Sequence, residues 1–288
     1  MLPTGPQPDT LGTALAWGRA QLKCNPESSD LDAEALLLHL LGLERATLRA
    51  WPERCLTADQ AMRYQWLIEQ RRKGWPVAYL TGQREFWSRS FRVGPEVLIP
   101  RPETELLIEL ALHRLPADTR AHILDLGTGS GIIALTLAAE RPGCSVTATD
   151  SSADALAVSQ ENARRLGISR VRFLQGHWFA PLAKDERFDL IVSNPPYIPG
   201  RDPHLAQGDL RYEPRQALAS GGDGLEALRE IIAHCPAHLN SGGWLILEHG
   251  YDQGDAVAAL LTEGNYQDII QYRDLQGHMR ASVARYDD

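Results

Sequence analysis

From Ala121 onward the chain alternates short apolar runs with helical stretches, and this rhythm narrows the fold more than any other feature. Ile123-Leu124-Asp125-Leu126 reads as a buried strand, residues 132–140 as a helix and residues 145–149 as a second strand. Residues 152–166 read as a helix stopped by Gly167, and residues 171–174 and 188–192 as two further strands. A helix over 225–235, a strand over 244–247, a helix over 256–262 and strands over 266–272 and 281–285 complete the series. Strands that alternate with helices pair in parallel, because each helix carries the chain back along the sheet, and the helices then cover both faces. The pattern predicts a mostly parallel α/β sheet without internal repeats.

Residues 10–74 carry no strand signal. Leu11, Leu15 and Leu22 share a face of a first helix, and residues 32–41 make a nearly all-apolar helix that stops at Gly42. Thr57-x-x-Gln60 has the form of a capping box, in which the Thr57 hydroxyl accepts from a first-turn N–H and Gln60 reaches back. The helix it opens reaches Lys73 and Gly74, where Arg71, Arg72 and Lys73 complement the negative end of its dipole. This all-helical domain is too small for catalysis, so it either docks a substrate or simply packs as an appendage. Trp75-Pro76 ends it. Residues 75–101 are expected to form a hairpin connector, with residues 86–93 turned back by Gly94-Pro95 into Val97-Leu98-Ile99. Pro102 then stands near the start of a helix reaching Leu115, where a missing N–H costs nothing. Residues 102–288 form the α/β domain. Residues 1–9 are expected to be disordered or tag-like, without the basic start and apolar stretch of a signal peptide.

Charge and cysteine usage exclude several classes. A net charge of −8 over 288 residues argues against a protein that binds nucleic acid by neutralising phosphates. The scattered Cys24, Cys55, Cys144 and Cys235 contain no Cys-x-x-Cys pair, which suits reduced thiols in the cytoplasm. The histidines show no metal-ligand spacing. The longest strongly apolar stretch, residues 132–139, is far shorter than the ~20 residues that span a bilayer.

Two motifs carry chemistry. Asp125-Leu126-Gly127-Thr128-Gly129-Ser130-Gly131 links a strand to a helix. Its glycines allow close ligand approach, and its spacing is G-x-G-x-G rather than the dinucleotide G-x-G-x-x-G. Asp150 ends the next strand, 19 positions after Gly131, where a carboxylate can accept from two ribose hydroxyls. Asn194-Pro195-Pro196-Tyr197 follows the strand over 188–192. Two prolines remove two N–H donors and fix two φ angles, so the chain turns out of the sheet. The Asn194 amide oxygen and the Pro195 carbonyl remain as acceptors beside the Tyr197 ring. Such a corner suits a planar amide or amino group that offers N–H donors.

The glycine spacing behind an aspartate resembles the S-adenosylmethionine loop of Rossmann-like class I methyltransferases. That resemblance puts Asp125 near the methionine amino group; as a residue read alone, Asp125 caps the loop. Asn-Pro-Pro-Tyr is shared by methyltransferases acting on planar nitrogens. Three more segments, Pro76-Val77-Ala78-Tyr79-Leu80-Thr81-Gly82, Val97-Leu98-Ile99-Pro100-Arg101-Pro102-Glu103-Thr104-Glu105 and Tyr212-Glu213-Pro214 with Gly221-Gly222-Asp223-Gly224, appear in order. With them the chain is similar to the bacterial release factor glutamine methyltransferases (the PrmC/HemK family) from about residue 10 to near its end.

The resemblance implies a mostly parallel seven-stranded sheet behind a small helical domain that helps hold the substrate. It implies methyl transfer from S-adenosyl-L-methionine to the glutamine side chain of the Gly-Gly-Gln motif in class I peptide chain release factors, leaving S-adenosyl-L-homocysteine. The cofactor contacts fall on Gly127, Thr128, Gly129, Ser130, Gly131, Asp150, Trp178 and Asn194. The glutamine contacts fall on Asn194, Pro195, Pro196 and Tyr197, of which Asn194, Pro195 and Tyr197 are catalytic. His177 departs from the family's usual Asp, which puts an adenine contact in question, and Arg101 and Glu103 are candidates for the pocket wall. A cytoplasmic monomer without direct nucleic-acid binding is expected. The rival readings are an amino-adenine nucleic-acid methyltransferase, which needs a basic target-recognition region, and a non-catalytic docking protein that keeps the cofactor fold.

Overall fold

The computed structural model describes residues 9–23 and 29–287. Residues 1–8, expected to be disordered or tag-like, and Cys24 lie outside the described residues. The chain divides into two compact units, Met1–Gln83 and Arg84–Asp288.

The first unit holds α1 (Leu11–Gln21), α2 (Ser29–Leu41), α3 (Arg45–Ala50), α4 (Ala58–Arg72) and α5 (Val77–Thr81). The capping box is formed: Gln60 N donates to Thr57 Oγ1 at 3.2 Å and Thr57 N to Gln60 Oε1 at 3.0 Å. Leu11, Leu22, Leu36, Leu37, Tyr64 and Ile68 make the core. Two polar side chains in or beside it are paired. Tyr64 donates to the Ala33 carbonyl at 3.0 Å, and Arg71 Nε to Asp32 at 2.7 Å. Trp51 and Trp66 stay largely exposed.

A hairpin of β1 (Gln83–Phe86) and β2 (Arg89–Arg92) follows, all but its first residue in the second unit. Its loop is Trp87-Ser88, with φ of 50° and 56°, the left-handed pair that matches strand twist in a two-residue turn. The hairpin therefore sits earlier than the sequence suggests. Val97-Leu98-Ile99 is not a return strand, because the Ile99 N–H is spent on Glu213 Oε2 at 2.9 Å. After a 3-10 turn, Pro102–Thr104, comes α6 (Glu105–Arg114).

The alternating series follows as β3 (His122–Leu126), α7 (Ile132–Glu140), β4 (Ser145–Asp150), α8 (Ala153–Arg165), β5 (Val171–Gln175) and β6 (Phe188–Ser193). It ends with α9 (Glu226–His234), β7 (Leu239–Glu248), α10 (Gly254–Glu263), β8 (Gln267–Arg273) and β9 (Met279–Tyr286). The seven strands lie in the order β5-β4-β3-β6-β7-β9-β8, and only β9 runs antiparallel to its neighbours. Side chains alternate across the sheet. Ile123, Val146, Leu190 and Val192 pack with α6 and α7, while Leu124, Leu126, Ile191 and Leu245 pack with α9 and α10.

Strand order reverses between β3 and β6. Their parallel register pairs Leu126 with Ser193, so Gly127 and Asn194 leave adjacent strands at one level. A reversal of this kind opens a crevice at the carboxyl ends of the strands, where ligands of doubly wound sheets bind.

Candidate active site

The glycine loop is held from below. Thr149 O accepts from Gly127 N and Thr128 N, both at 2.9 Å. Asp125, fully buried, accepts from Thr128 Oγ1 at 2.7 Å and from Ala134 N at 3.1 Å. Burial pushes its carboxyl up to about 7. Asp125 thus braces the loop from within and is absent from the cavity wall. Asp150 Oδ2 accepts from Gly129 N at 2.8 Å and Oδ1 from Ser152 N at 2.9 Å; burial also raises its pKa. At Gly127, with φ +71°, a Cβ would lie 3.1 Å from the Trp178 ring, so glycine serves both the turn and the close approach. From α8, Asn162 Nδ2 donates to Ser130 O and to Arg92 O, each at 2.9 Å, tying the loop to the hairpin.

Across the crevice stands the proline corner. Asn194 Nδ2 donates to Thr104 Oγ1 at 3.0 Å, and Thr104 Oγ1 donates to Glu248 Oε2 at 2.8 Å. The Tyr197 hydroxyl donates to Glu248 Oε1 at 3.2 Å. Among the described residues no donor bonds Asn194 Oδ1 or the Pro195 carbonyl. Glu248 is fully buried and pushed up to about 7 by that burial. Burial first, and the Glu248 charge second, raise the Tyr197 pKa, so the phenol keeps its proton. Behind the corner, Gln253 Nε2 donates to Tyr197 O at 3.0 Å, and a Cβ at Gly224, φ +80°, would come within 2.3 Å of that oxygen.

Residues 198–220 form a strap, of which Pro214, Gln216, Ala217, Ala219 and Ser220 line the cavity. Ile198 N donates to Leu218 O, and Ser220 N to Ile198 O, both at 2.9 Å. Glu213, itself buried, anchors the strap to Arg101 at 2.5 Å as well as to Ile99. Two segments singled out in the sequence therefore meet through one carboxylate.

Between these parts lies a cavity of about 460 Å³, within the ~300–1,000 Å³ typical of small-molecule sites. Of the residues anticipated from sequence, Gly127, Gly129, Asp150, Trp178, Asn194 and Pro196 line it. Thr128, Ser130, Gly131, Pro195 and Tyr197 are not among the residues that line it. His177 does line it, and its Nε2 meets Glu230 Oε1 at 2.9 Å, so α9 brings a carboxylate to the same wall. Arg101 and Glu103 are not on the wall: the first is paired with Glu213, and the second accepts from Gln276 Nε2 at 3.4 Å. Thr104 and Glu213 stand inside motifs quoted from the sequence, which gives neither a site role; Glu248, at a strand end on the expected ligand side, reads from sequence as a loop residue rather than a catalytic one.

The donor set fits an adenosine-containing sulfonium cofactor: a glycine floor, a carboxylate at the end of β4 for paired hydroxyls, and an indole wall. Among the described residues no group of His, Cys, Asp and Glu is arranged to hold a metal ion. None of the described helices is long and apolar enough to cross a membrane.

A family model described as the PrmC N-terminal domain matches residues 13–82, and one described as the methyltransferase small domain matches residues 104–225. The release factor glutamine methyltransferase of Vibrio cholerae is 46% identical over 96% of this chain and 97% of its own. That of Xylella fastidiosa (strain Temecula1) is 52% identical over 88% and 92%, and that of Pseudomonas aeruginosa 48% over 93% and 96%. Among solved structures, a ribosomal protein L11 methylase from Lactobacillus delbrueckii matches with a TM-score of 0.52 at 24% identity, over 69% of this chain and 86% of that one. A T. thermophilus 16S rRNA N2 G1207 methyltransferase, solved with AdoMet and guanosine, matches at 0.51 and 21% identity, over 70% of this chain and 49% of that one. These two likenesses concern the fold alone.

Proposed function

The chain belongs to the release factor glutamine methyltransferase family, and from that premise we propose that it methylates the side-chain amide nitrogen of the Gly-Gly-Gln glutamine in class I release factors. The observation that carries the reading is the pair of unengaged acceptors, Asn194 Oδ1 and the Pro195 carbonyl, one strand away from the glycine loop.

When bound, S-adenosyl-L-methionine supplies an electrophilic methyl group on sulfur. The chain's own residues do the rest. Gly127 and Gly129 would let the backbone approach the cofactor, Asp150 would accept from its ribose hydroxyls, and Trp178 would flank the adenine. Asn194 Oδ1 and the Pro195 carbonyl accept the two N–H bonds of the glutamine amide. An amide nitrogen is a weak nucleophile because its lone pair is delocalised, so holding it in line within about 3 Å of the reacting carbon matters. Positive charge builds on that nitrogen in the transition state, and both hydrogen bonds strengthen with it. One such preorganised contact contributes roughly 2.7–4 kcal/mol where charge develops in a dry site. The surplus proton, acidic once the nitrogen is alkylated, leaves from between the two oxygens to water. The first unit, with Trp51 and Trp66 exposed, is the region that would hold the folded release factor, and such a substrate places the enzyme in the cytoplasm.

Mass spectrometry of a release factor incubated with cofactor and enzyme tests this. One methyl on the Gly-Gly-Gln glutamine is expected. Transfer to duplex DNA alone would overturn it.

A further inference from the structure

Asn194 can grip an amide only if its side chain presents oxygen rather than NH₂ to the cavity. The two orientations have nearly the same shape, so the surroundings must choose. Thr104 chooses. It is fully buried at the start of α6, and its hydroxyl has one proton to give. That proton goes to Glu248 Oε2, since an ionised carboxylate only accepts. The Thr104 oxygen is then an acceptor toward Asn194, which answers with Nδ2. Reversing the Asn194 amide would set two acceptor oxygens against each other in a buried place. Tyr197, from the same tetrapeptide, closes the loop on the other oxygen of Glu248.

Resting on the functional reading above, we propose that Thr104 and Glu248 are positioning residues: a relay from Glu248 through the Thr104 hydroxyl to Asn194 Nδ2 fixes the Asn194 oxygen toward the glutamine amide. The relay is directional only while Glu248 is ionised. Once protonated, Glu248 can donate to Thr104, whose own proton then turns toward Asn194 and favours the reversed amide. Tyr197, Arg280 and Glu103 are the titratable and charged groups that act on Glu248. Glu248 is fully buried and titrates near 7, so the orientation weakens as pH falls through that value.

The test uses the full chain, its cofactor and a Gly-Gly-Gln peptide. Thr104→Val should lower kcat by about 10–100-fold, on the scale seen when the outer partner of a metal-ligating side chain is lost, with the cofactor Kd unchanged. Thr104→Ser, which keeps the donor and the acceptor, should recover most of that loss. In an Asn194→Ala background, Thr104→Val should change kcat by less than ~3-fold, because coupled residues do not add. Wild-type kcat should fall below about pH 7, and Glu248→Gln should abolish that inflection. Full additivity of Thr104→Val and Asn194→Ala, or an inflection that survives Glu248→Gln, overturns the relay. Should Thr104→Val not fold, ¹⁵N spectra of the wild-type protein decide without substrate. Slowly exchanging Asn194 side-chain N–H signals that shift across pH 7 support the relay, and rapid exchange without a shift overturns it. A wild-type enzyme that leaves the peptide unmethylated contradicts the functional reading, while the same spectra still judge the relay.

Discussion

Two fully buried carboxylates flank the crevice between β3 and β6, and they are built in opposite ways. Asp125 gathers donors from its own stretch of chain, Thr128 and Ala134, and so stiffens the glycine loop. Glu248 gathers side-chain hydroxyls from Thr104 and Tyr197, 144 and 51 positions away, and so joins the start of α6 to the proline corner. Burial raises both to about 7. In the cofactor half, Asp125 thus braces the glycine loop through partners close in sequence, whereas in the acceptor half Glu248 braces the proline corner through side chains far away in sequence. A loop that must bind an invariant small molecule can be encoded in one motif. An acceptor corner that must discriminate one face of an amide needs an orientation imposed from outside itself.

If the two halves have separate tasks, their variants should separate as well. The largest effect belongs to the acceptor half: Asn194→Ala should lower kcat by roughly 10²–10³-fold while calorimetric cofactor affinity changes much less. On the cofactor half, Asp150→Ala should weaken cofactor binding by about 10–100-fold, as expected for lost hydrogen bonds to a charged group worth ~1.5–3 kcal/mol, and unchanged affinity would remove its ribose role. Trp178→Ala should weaken cofactor binding by roughly 3–10-fold, corresponding to ~0.5–1.5 kcal/mol of aromatic contact, with little change in saturated kcat. A kcat loss as large as that of Asn194→Ala would erase the distinction between the halves. The smallest effect lies in stability. Because folding raises the Asp125 pKa to about 7, the native state holds a proton that the unfolded chain gives up near pH 4. The sign follows: the stabilising contribution is complete below the unfolded pKa and is lost as pH rises through about 7. Asp125→Asn cannot titrate, so its Tm should fall less than that of wild type between pH 5 and pH 8.

The same contrast explains what could be read from sequence. Strand–helix periodicity, the Thr57 capping box and the Asp125–Gly131 loop are local, and the structure forms them at the expected places. The hairpin was displaced because Trp87 and Ser88, poor left-handed residues on paper, take positive φ with Glu105 Oε1 accepting from Trp87 N at 2.9 Å. Val97–Ile99 resembled a strand because Val97 and Ile99 are buried, yet the Ile99 N–H serves Glu213 instead of a ladder. Thr104 resembled an ordinary residue of a helix start. Only the pairing of β3, β6 and β7 brings it between Asn194 and Glu248, and no local pattern carries that information.

The most direct measurement is a crystal structure of the full chain with S-adenosyl-L-homocysteine and a Gly-Gly-Gln peptide. The glutamine amide nitrogen should lie at hydrogen-bond distance, ~2.7–3.2 Å, from both Asn194 Oδ1 and the Pro195 carbonyl, with Asn194 Nδ2 still on Thr104. A glutamine seated elsewhere, or an Asn194 that turns its NH₂ toward the peptide, would contradict the account.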